Sequence, residues 1–166
     1  MANSALDILQ DYSQKMIDAL KDNLNKKDRF ASGMLSQSIT ANVKVFNQVV
    51  EMTISMEDYW KFVDEGVDGT VVKWGSPYKF KKKNLNQKAM LKHIANRGLR
   101  VTAKKGVSKE NARKGLAFVL GRSIAKKGIK PTHFASEVFE GDLMEDLSND
   151  LAEALGRDIL IDITVD

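Results

Sequence analysis

The feature that most constrains the fold of this sequence is the segregation of its charges along the chain. Residues 1–70 hold seven Lys/Arg and 11 Asp/Glu, whereas residues 71–130 hold 18 Lys/Arg and a single acid, Glu110. Residues 131–166 reverse the sign again, with one base, Arg157, and ten acids. Like charges concentrated in this way repel one another unless the fold or a partner offsets them. The basic segment must therefore face acidic segments of its own chain, acidic segments of neighbouring copies, or nucleic acid.

The composition suits one folded domain. Apolar residues make up 43% of the 166 residues, which is enough for a core, and two prolines with no Ser/Gly/Pro-rich stretch leave no evident linker. We predict a single domain over residues 1–166, in which residues 66–107 form a basic loop or insertion that could serve as an interaction arm. The absence of cysteine excludes disulfides, thiolate metal sites and cysteine nucleophiles, and is compatible with assembly in a reducing cytoplasm. With no signal-peptide pattern and no membrane-length apolar run, we expect a soluble protein.

Hydrophobic periodicity predicts a largely helical chain. Apolar residues recur at helical spacing over 4–28, 84–96, 109–127 and 142–155, and shorter helical pieces are expected over 57–65 and after Pro131. For the helix over 109–127 we predict an N-cap at Ser108 and a stop at Gly128. The apolar stripe predicted for that helix comprises Ala112, Leu116, Val119, Leu120 and Ile124.

Strand-forming residues predict a β-hairpin early in the chain. They occupy 41–46 and 49–55 on either side of a turn at Asn47-Gln48. The segment 159–165 is predicted as a further strand that pairs with this hairpin. The predicted fold is therefore α+β, with a small, mainly antiparallel sheet (the hairpin plus the C-terminal strand) packed by several helices, and a long basic loop at 66–83.

Converging catalytic or metal-binding residues are missing from the sequence pattern. His93 and His133 lie far apart, and neither has a partner at metal-ligand spacing. There is no phosphate-binding loop, nucleophile elbow or dinucleotide fingerprint. The aspartates at 158, 162 and 166 suit a charged edge strand as well as a cation site. We therefore predict that the chain is not an enzyme and has no catalytic, cofactor-binding or metal-binding residues.

Two charged surfaces are the candidate binding surfaces of the chain. Lysine outnumbers arginine 14 to 4 within 71–130, which favours diffuse charge attraction over base reading. Pairing of this surface with acidic helices of neighbouring copies is favoured, because a matching acidic surface exists in the same chain. The alternative is a nucleic-acid-binding protein that uses the basic segment 73–114, with stacking by Tyr78 and Phe80 as an extra contribution. The candidate partner-facing or DNA-facing residues are Lys79, Lys81, Lys82, Lys83, Lys88, Lys92, Arg97, Arg100, Lys104 and Lys105, and the candidate acidic interface comprises Glu145, Asp146, Asp150 and Glu153.

Four motifs occur in a distinctive order. They are ASGMLSQSI at 31–39, YWKFVDEG at 59–66 with a following Gly69-Thr70 turn, LAFVLGRSI at 116–124, and KGIKPTHF at 127–134. This order resembles the tail-completion or head–tail joining family of tailed bacteriophages, whose members are also described as neck or minor tail proteins. The sequence departs from that family in the run Thr132-His133-Phe134-Ala135, where members often have Pro-Phe-aromatic, and in its longer lysine-rich insertion at 73–105.

The resemblance implies a structural role in the virion. It implies an α+β subunit that is assembled in the host cytoplasm into a ring of about six or twelve copies at the head–tail junction. Its expected neighbours are portal or adaptor proteins on one side and tail proteins on the other, with possible contact to genomic DNA in the channel. No catalytic residue, cofactor or membrane partner is implied.

Overall fold

The α+β class predicted from the sequence is confirmed by the structure of the chain. A computed structural model describes residues 5–27, 33–46, 49–82, 85–96, 98–103 and 106–156. The chain divides into two compact units: unit 1 comprises Met1–Asp64 and Thr132–Asp166, and unit 2 comprises Glu65–Pro131. The single domain predicted over residues 1–166 stays a prediction, since two compact units can belong to one domain.

The described part of the chain contains helices and short strands. In chain order they are α1 (Ala5–Lys27), α2 (Gly33–Ser38), β1 (Thr40–Phe46), β2 (Val49–Ser55), α3 (Trp60–Asp64), β3 (Val67–Asp68), α4 (Gln87–Asn96), α5 (Lys109–Lys127), β4 (Gly128–Ile129), α6 (Ser136–Phe139) and α7 (Asp142–Leu155). The strands form two antiparallel pairs, β1 with β2 and β3 with β4. The hairpin and the main helices lie within a few residues of their predicted bounds, whereas the strand predicted at 159–165 lies outside the described residues.

The core of unit 1 lies among α1, the β1–β2 hairpin and α7. The predicted periodicity of α1 is confirmed, because its buried residues recur every three or four positions from Ile8 to Leu24. The hairpin pairs in register from Thr40↔Ser55 to Phe46↔Val49. Leu147 and Leu151 of α7 and the fully buried Phe134 complete the same core.

A buried carboxylate fastens the end of α3 to the start of α6. Asp64 is 1% exposed, and its Oδ1 accepts hydrogen bonds from the amides of Ala135 (2.7 Å) and Ser136 (3.3 Å). Its Oδ2 accepts a hydrogen bond from the Ser136 hydroxyl, and its carbonyl accepts from the amides of Thr132 and His133. A buried charge is tolerated when it is satisfied in this way. Asp64 therefore holds together two parts of unit 1 that are far apart in the sequence.

Glycines allow two stretches of backbone in unit 2 to approach closely. β3 pairs with β4 through Val67↔Ile129 and Asp68↔Gly128. A Cβ on Gly69 or Gly128 would lie less than 3.0 Å from backbone atoms of the opposite stretch, and Gly128 has a left-handed φ of 76°. This crossing brings together the turn after 59–66 and the start of 127–134, two of the motifs that carry the family resemblance.

The apolar stripe predicted for α5 is wrong at Val119, whereas its other four residues are half-buried and both predicted ends of this helix are confirmed. Ser108 caps the helix by accepting from the Asn111 amide (3.2 Å), and Gly128 ends it. The buried row is formed by small residues, Ala117, Gly121 and Ala125, whereas Val119 is 62% exposed. The amides of residues 70–72 bond directly to the carbonyls of residues 125 and 126. Backbone therefore lies against the end of this helix, where only small side chains fit.

Removal of the Asp64 carboxylate should destabilise the fold strongly. Asp64→Ala leaves the amides of Ala135 and Ser136 buried without an acceptor, so we expect the free energy of unfolding to fall by about 2–4 kcal/mol. Asp64→Asn keeps one acceptor oxygen and should cost clearly less. Urea unfolding followed by circular dichroism measures both. Equal midpoints for the wild type and Asp64→Ala would show that this carboxylate does not hold unit 1 together.

Two glycine substitutions around α5 should have opposite effects on stability. Gly115 lies within the helix, and a Cβ there would meet nothing within 4 Å, so Gly115→Ala should raise the free energy of unfolding by about 0.5–1 kcal/mol. Gly128→Ala places a Cβ against backbone at a left-handed φ and should lower it by about 1–3 kcal/mol. The same unfolding assay compares them. A stable Gly128→Ala variant would contradict the close β3–β4 crossing.

Candidate functional site

Every described member of the predicted basic surface is exposed on unit 2. Lys79, Lys81 and Lys82 border a shallow open groove of about 430 Å³ that Phe80, Leu85 and Asn86 also line. Lys88 and Lys92 project from α4, and Arg100 follows that helix. The structure therefore gathers much of this surface on one unit. Lys83, Arg97, Lys104 and Lys105 lie outside the described residues.

The segment that carries the first lysines is extended and alternates in burial. Lys79 and Lys81 are exposed, whereas Tyr78 and Phe80 between them are half-buried. The amide of Asp68 donates to the Tyr78 carbonyl (2.8 Å), and the Phe80 amide donates to the Asp68 carbonyl (2.9 Å). Alternate side chains of an extended chain point to opposite sides. Pairing with residue 68 therefore directs the lysines to solvent and the aromatic rings toward unit 2.

A network of side chains holds the loop predicted at 66–83. The Asp68 carboxylate accepts from the Trp74 amide (2.6 Å), and the Trp74 indole Nε1 donates to the Lys127 carbonyl (2.8 Å). The Ser76 hydroxyl donates to the Gly66 carbonyl (2.8 Å). The Trp74 amide lowers the pKa of Asp68, and the Ser76 amide and Lys73 act in the same direction. These hydrogen bonds therefore fix the described part of the loop that carries the lysines.

A second basic groove on unit 2 was not predicted from the sequence. It has a volume of about 360 Å³ and is lined by Leu99, Arg100, Val101, Lys109 and Arg113. Only Arg100 belongs to the predicted set. Lys109 and Arg113 are one helical turn apart on α5. Their spacing in the sequence indicates that both cations lie on one face of the predicted helix.

The predicted acidic interface lies on the exposed face of α7. Glu145, Asp146, Asp150 and Glu153 are all exposed. Asp150 also has a structural role, because its carboxylate accepts a hydrogen bond from the Tyr12 hydroxyl of α1 (2.7 Å). Burial of Tyr12, together with this hydrogen bond and the negative charge of Asp150, raises the pKa of Tyr12 to about 12. Asp150 therefore fixes α7 to α1, while the other three acids are available to a partner.

The two compact units carry opposite net charges. Residues 65–131 hold 18 Lys/Arg and three acids, a net charge of +15, whereas residues 1–64 and 132–166 together hold eight Lys/Arg and 19 acids, a net charge of −11. Of the three acids in unit 2, Asp68 is engaged by its own loop, and Glu110 pairs with Lys114 at 2.7 Å. The charge segregation seen along the sequence is thus a division between two folded units.

The exposed cations of unit 2 suit the binding of a negatively charged partner, and the exposed acids of unit 1 suit a positively charged one. Among the residues that the structure describes, no group of three or more His, Asp or Glu side chains is placed to hold a metal ion. His93 is half-buried on α4, and His133 is exposed with a positive φ of 53°.

Searches against protein-family models, curated proteins and solved structures find no match.

None of the helices in the described part of the chain is both long enough and apolar enough to cross a bilayer.

Alkaline titration should expose the link between Tyr12 and Asp150. The pKa of Tyr12 is raised from 10.0 to about 12 in the folded chain. The folded state therefore holds a proton that the unfolded state releases above pH 10. This contribution to the free energy of unfolding is fully present below pH 10 and is lost as the pH rises from about 10 to about 12. Tyr12→Phe should remove this loss.

Urea unfolding of both proteins near pH 8 and at about pH 11 measures the effect of Tyr12. We expect the difference in stability between the wild type and Tyr12→Phe to shrink at the higher pH. Parallel stability profiles of the two proteins would contradict the assignment.

Proposed function

We propose that this chain is a structural virion protein of a tailed bacteriophage, a ring-forming subunit of the head–tail connector or neck. In this role it completes the tail and joins portal or adaptor proteins to the tail around the DNA channel. The observation that carries the proposal is the division of opposite charge between two compact units. The assignment to a phage rests on the ordered resemblance of the four motifs.

Opposite charges on the two units favour one kind of contact between copies. Two copies of unit 2, each at +15, repel each other, as do two copies of unit 1 at −11. Contact between unit 1 of one copy and unit 2 of the next brings opposite surfaces together. Such a contact joins two different patches, and its repetition produces a ring when the rotation closes. The charge pattern therefore favours contacts between unlike units of neighbouring copies, and contacts of this kind can build the proposed ring.

The motif segments that carry the resemblance interact in the structure. Within unit 1, Asp64 of the 59–66 motif binds the backbone of residues 132–136. Within unit 2, Val67 and Asp68, which follow this motif, pair with Ile129 and Gly128 of the 127–134 motif. These contacts support the interpretation of the two segments as parts of one structural framework.

The second candidate function is nucleic-acid binding through residues 73–114. The groove bordered by Lys79, Lys81 and Lys82 favours it, because exposed lysines neutralise backbone phosphates without reading sequence. Genomic DNA in the channel would be the natural ligand of this surface. The two functions differ in what they predict for the purified chain.

Self-association and particle assembly test the proposed function. The purified chain, alone and with its connector partners, should form a discrete oligomer whose stability falls between about 0.05 and about 0.5 M salt, because exposed charges are screened. Particles made without the chain should accumulate as unjoined heads and tails. Analytical ultracentrifugation and electron microscopy measure the two effects. A chain that stays monomeric with its partners and is absent from virions would contradict the proposal.

The same preparation tests the alternative. Steeply salt-dependent retention of duplex DNA by a monomeric chain would favour nucleic-acid binding, because phosphate contacts release counterions. A discrete oligomer that retains no DNA at low salt would remove it.

A further inference from the structure

One ridge of α5 is exposed along its whole length. Lys114, Phe118, Arg122 and Lys126 follow one another at intervals of four residues, and all four are exposed. We call this set the α5 row. Side chains four residues apart are neighbours on a helix surface, so the α5 row presents an aromatic ring beside Arg122 and Lys126, while Lys114 pairs with Glu110 of the same helix at 2.7 Å. The small residues that α5 buries form a separate row.

The α5 row has the composition of an interface centre. Phe118 is 49% exposed, and Val119 next to it is 62% exposed. Aromatic residues and arginine are enriched where proteins bind each other, and exposed apolar side chains that cluster mark such sites. Exposed ion pairs contribute little by themselves. An apolar anchor therefore distinguishes the α5 row from the lysines along 79–82, whose aromatic neighbours are half-buried.

We infer that the α5 row docks on α7 of a neighbouring copy of this chain, an assignment that rests on the proposed ring function. Helix α7 has five acids and no base in its 14 residues. Asp146 and Glu153 lie on the same helix face, and both are exposed. Cations around an apolar anchor thus face carboxylates. Because the acidic complement of the α5 row is a helix of the same chain, charge complementarity selects a second copy as the occupant.

Charge reversal on each side tests this pairing. The first variant, Arg122→Glu with Lys126→Glu, makes the α5 row acidic, and the second, Glu145→Lys with Asp146→Lys and Glu153→Lys, leaves α7 with two acids and three lysines and so makes it basic. Each variant alone opposes like charges, so its self-association should weaken about ten-fold or more. In an equimolar mixture every contact between the two variants again joins opposite charges. Sedimentation of the mixture should therefore recover an oligomer of wild-type affinity.

Two controls separate this contact from general charge effects and from misfolding. Lys88→Glu with Lys92→Glu on α4 makes the same charge change at the same spacing on the same unit, and should change self-association by no more than about two-fold. Phe118→Ser removes the anchor from an exposed position and should weaken association about ten-fold or more. Its circular dichroism spectrum and unfolding midpoint should match those of the wild type.

The outcomes distinguish this inference from the proposed function. A mixture that does not reassemble overturns the α5–α7 pairing, as does equal loss in the α4 control or unchanged association of Phe118→Ser. In these cases a wild-type chain that still forms a salt-sensitive oligomer leaves the ring function standing. A wild-type chain that never associates with its partners present overturns both.

Discussion

Unit 2 has to fold while carrying a net charge of +15. Its charged side chains lie at the surface, and its chain segments are joined by contacts between backbone atoms. The described lysines are exposed, and the β3–β4 crossing is made by glycines at near-contact distance. Asp68, one of three acids in this unit, fixes the loop through the Trp74 amide. The unit thereby becomes compact without neutralising its surface, and the excess charge is left for a partner.

Unit 1, which carries a net charge of −11, has a larger apolar core. Long side chains of α1, the hairpin and α7 pack together, and two carboxylates serve the fold through hydrogen bonds. Asp64 binds the start of α6, and Asp150 binds Tyr12. The remaining acids of α7 lie outside the core. A single chain therefore presents two surfaces of opposite charge, which is the physical basis for the proposed association of its copies in a ring.

Sequence reasoning succeeded where structure is determined by neighbouring residues. The periodicity of α1 and α7, the cap at Ser108 and the strand-forming residues of the hairpin are local signals, and the elements follow them. The segregation of charge along the chain also follows from counting residues.

Features that depend on distant contacts were not predicted. The acceptor role of Asp64 needs residues 135 and 136, and two-residue strands such as β3 and β4 leave no periodic pattern. The burial of Ala125 depends on residues 70–72, whose amides donate hydrogen bonds to the carbonyls of residues 125 and 126. Imaging of assembled particles with this chain labelled tests the proposed ring most directly. We expect a closed ring of label at the head–tail junction, with unit 1 of each copy against unit 2 of the next. Label elsewhere in the particle, or two-fold dimers at that junction, would contradict it.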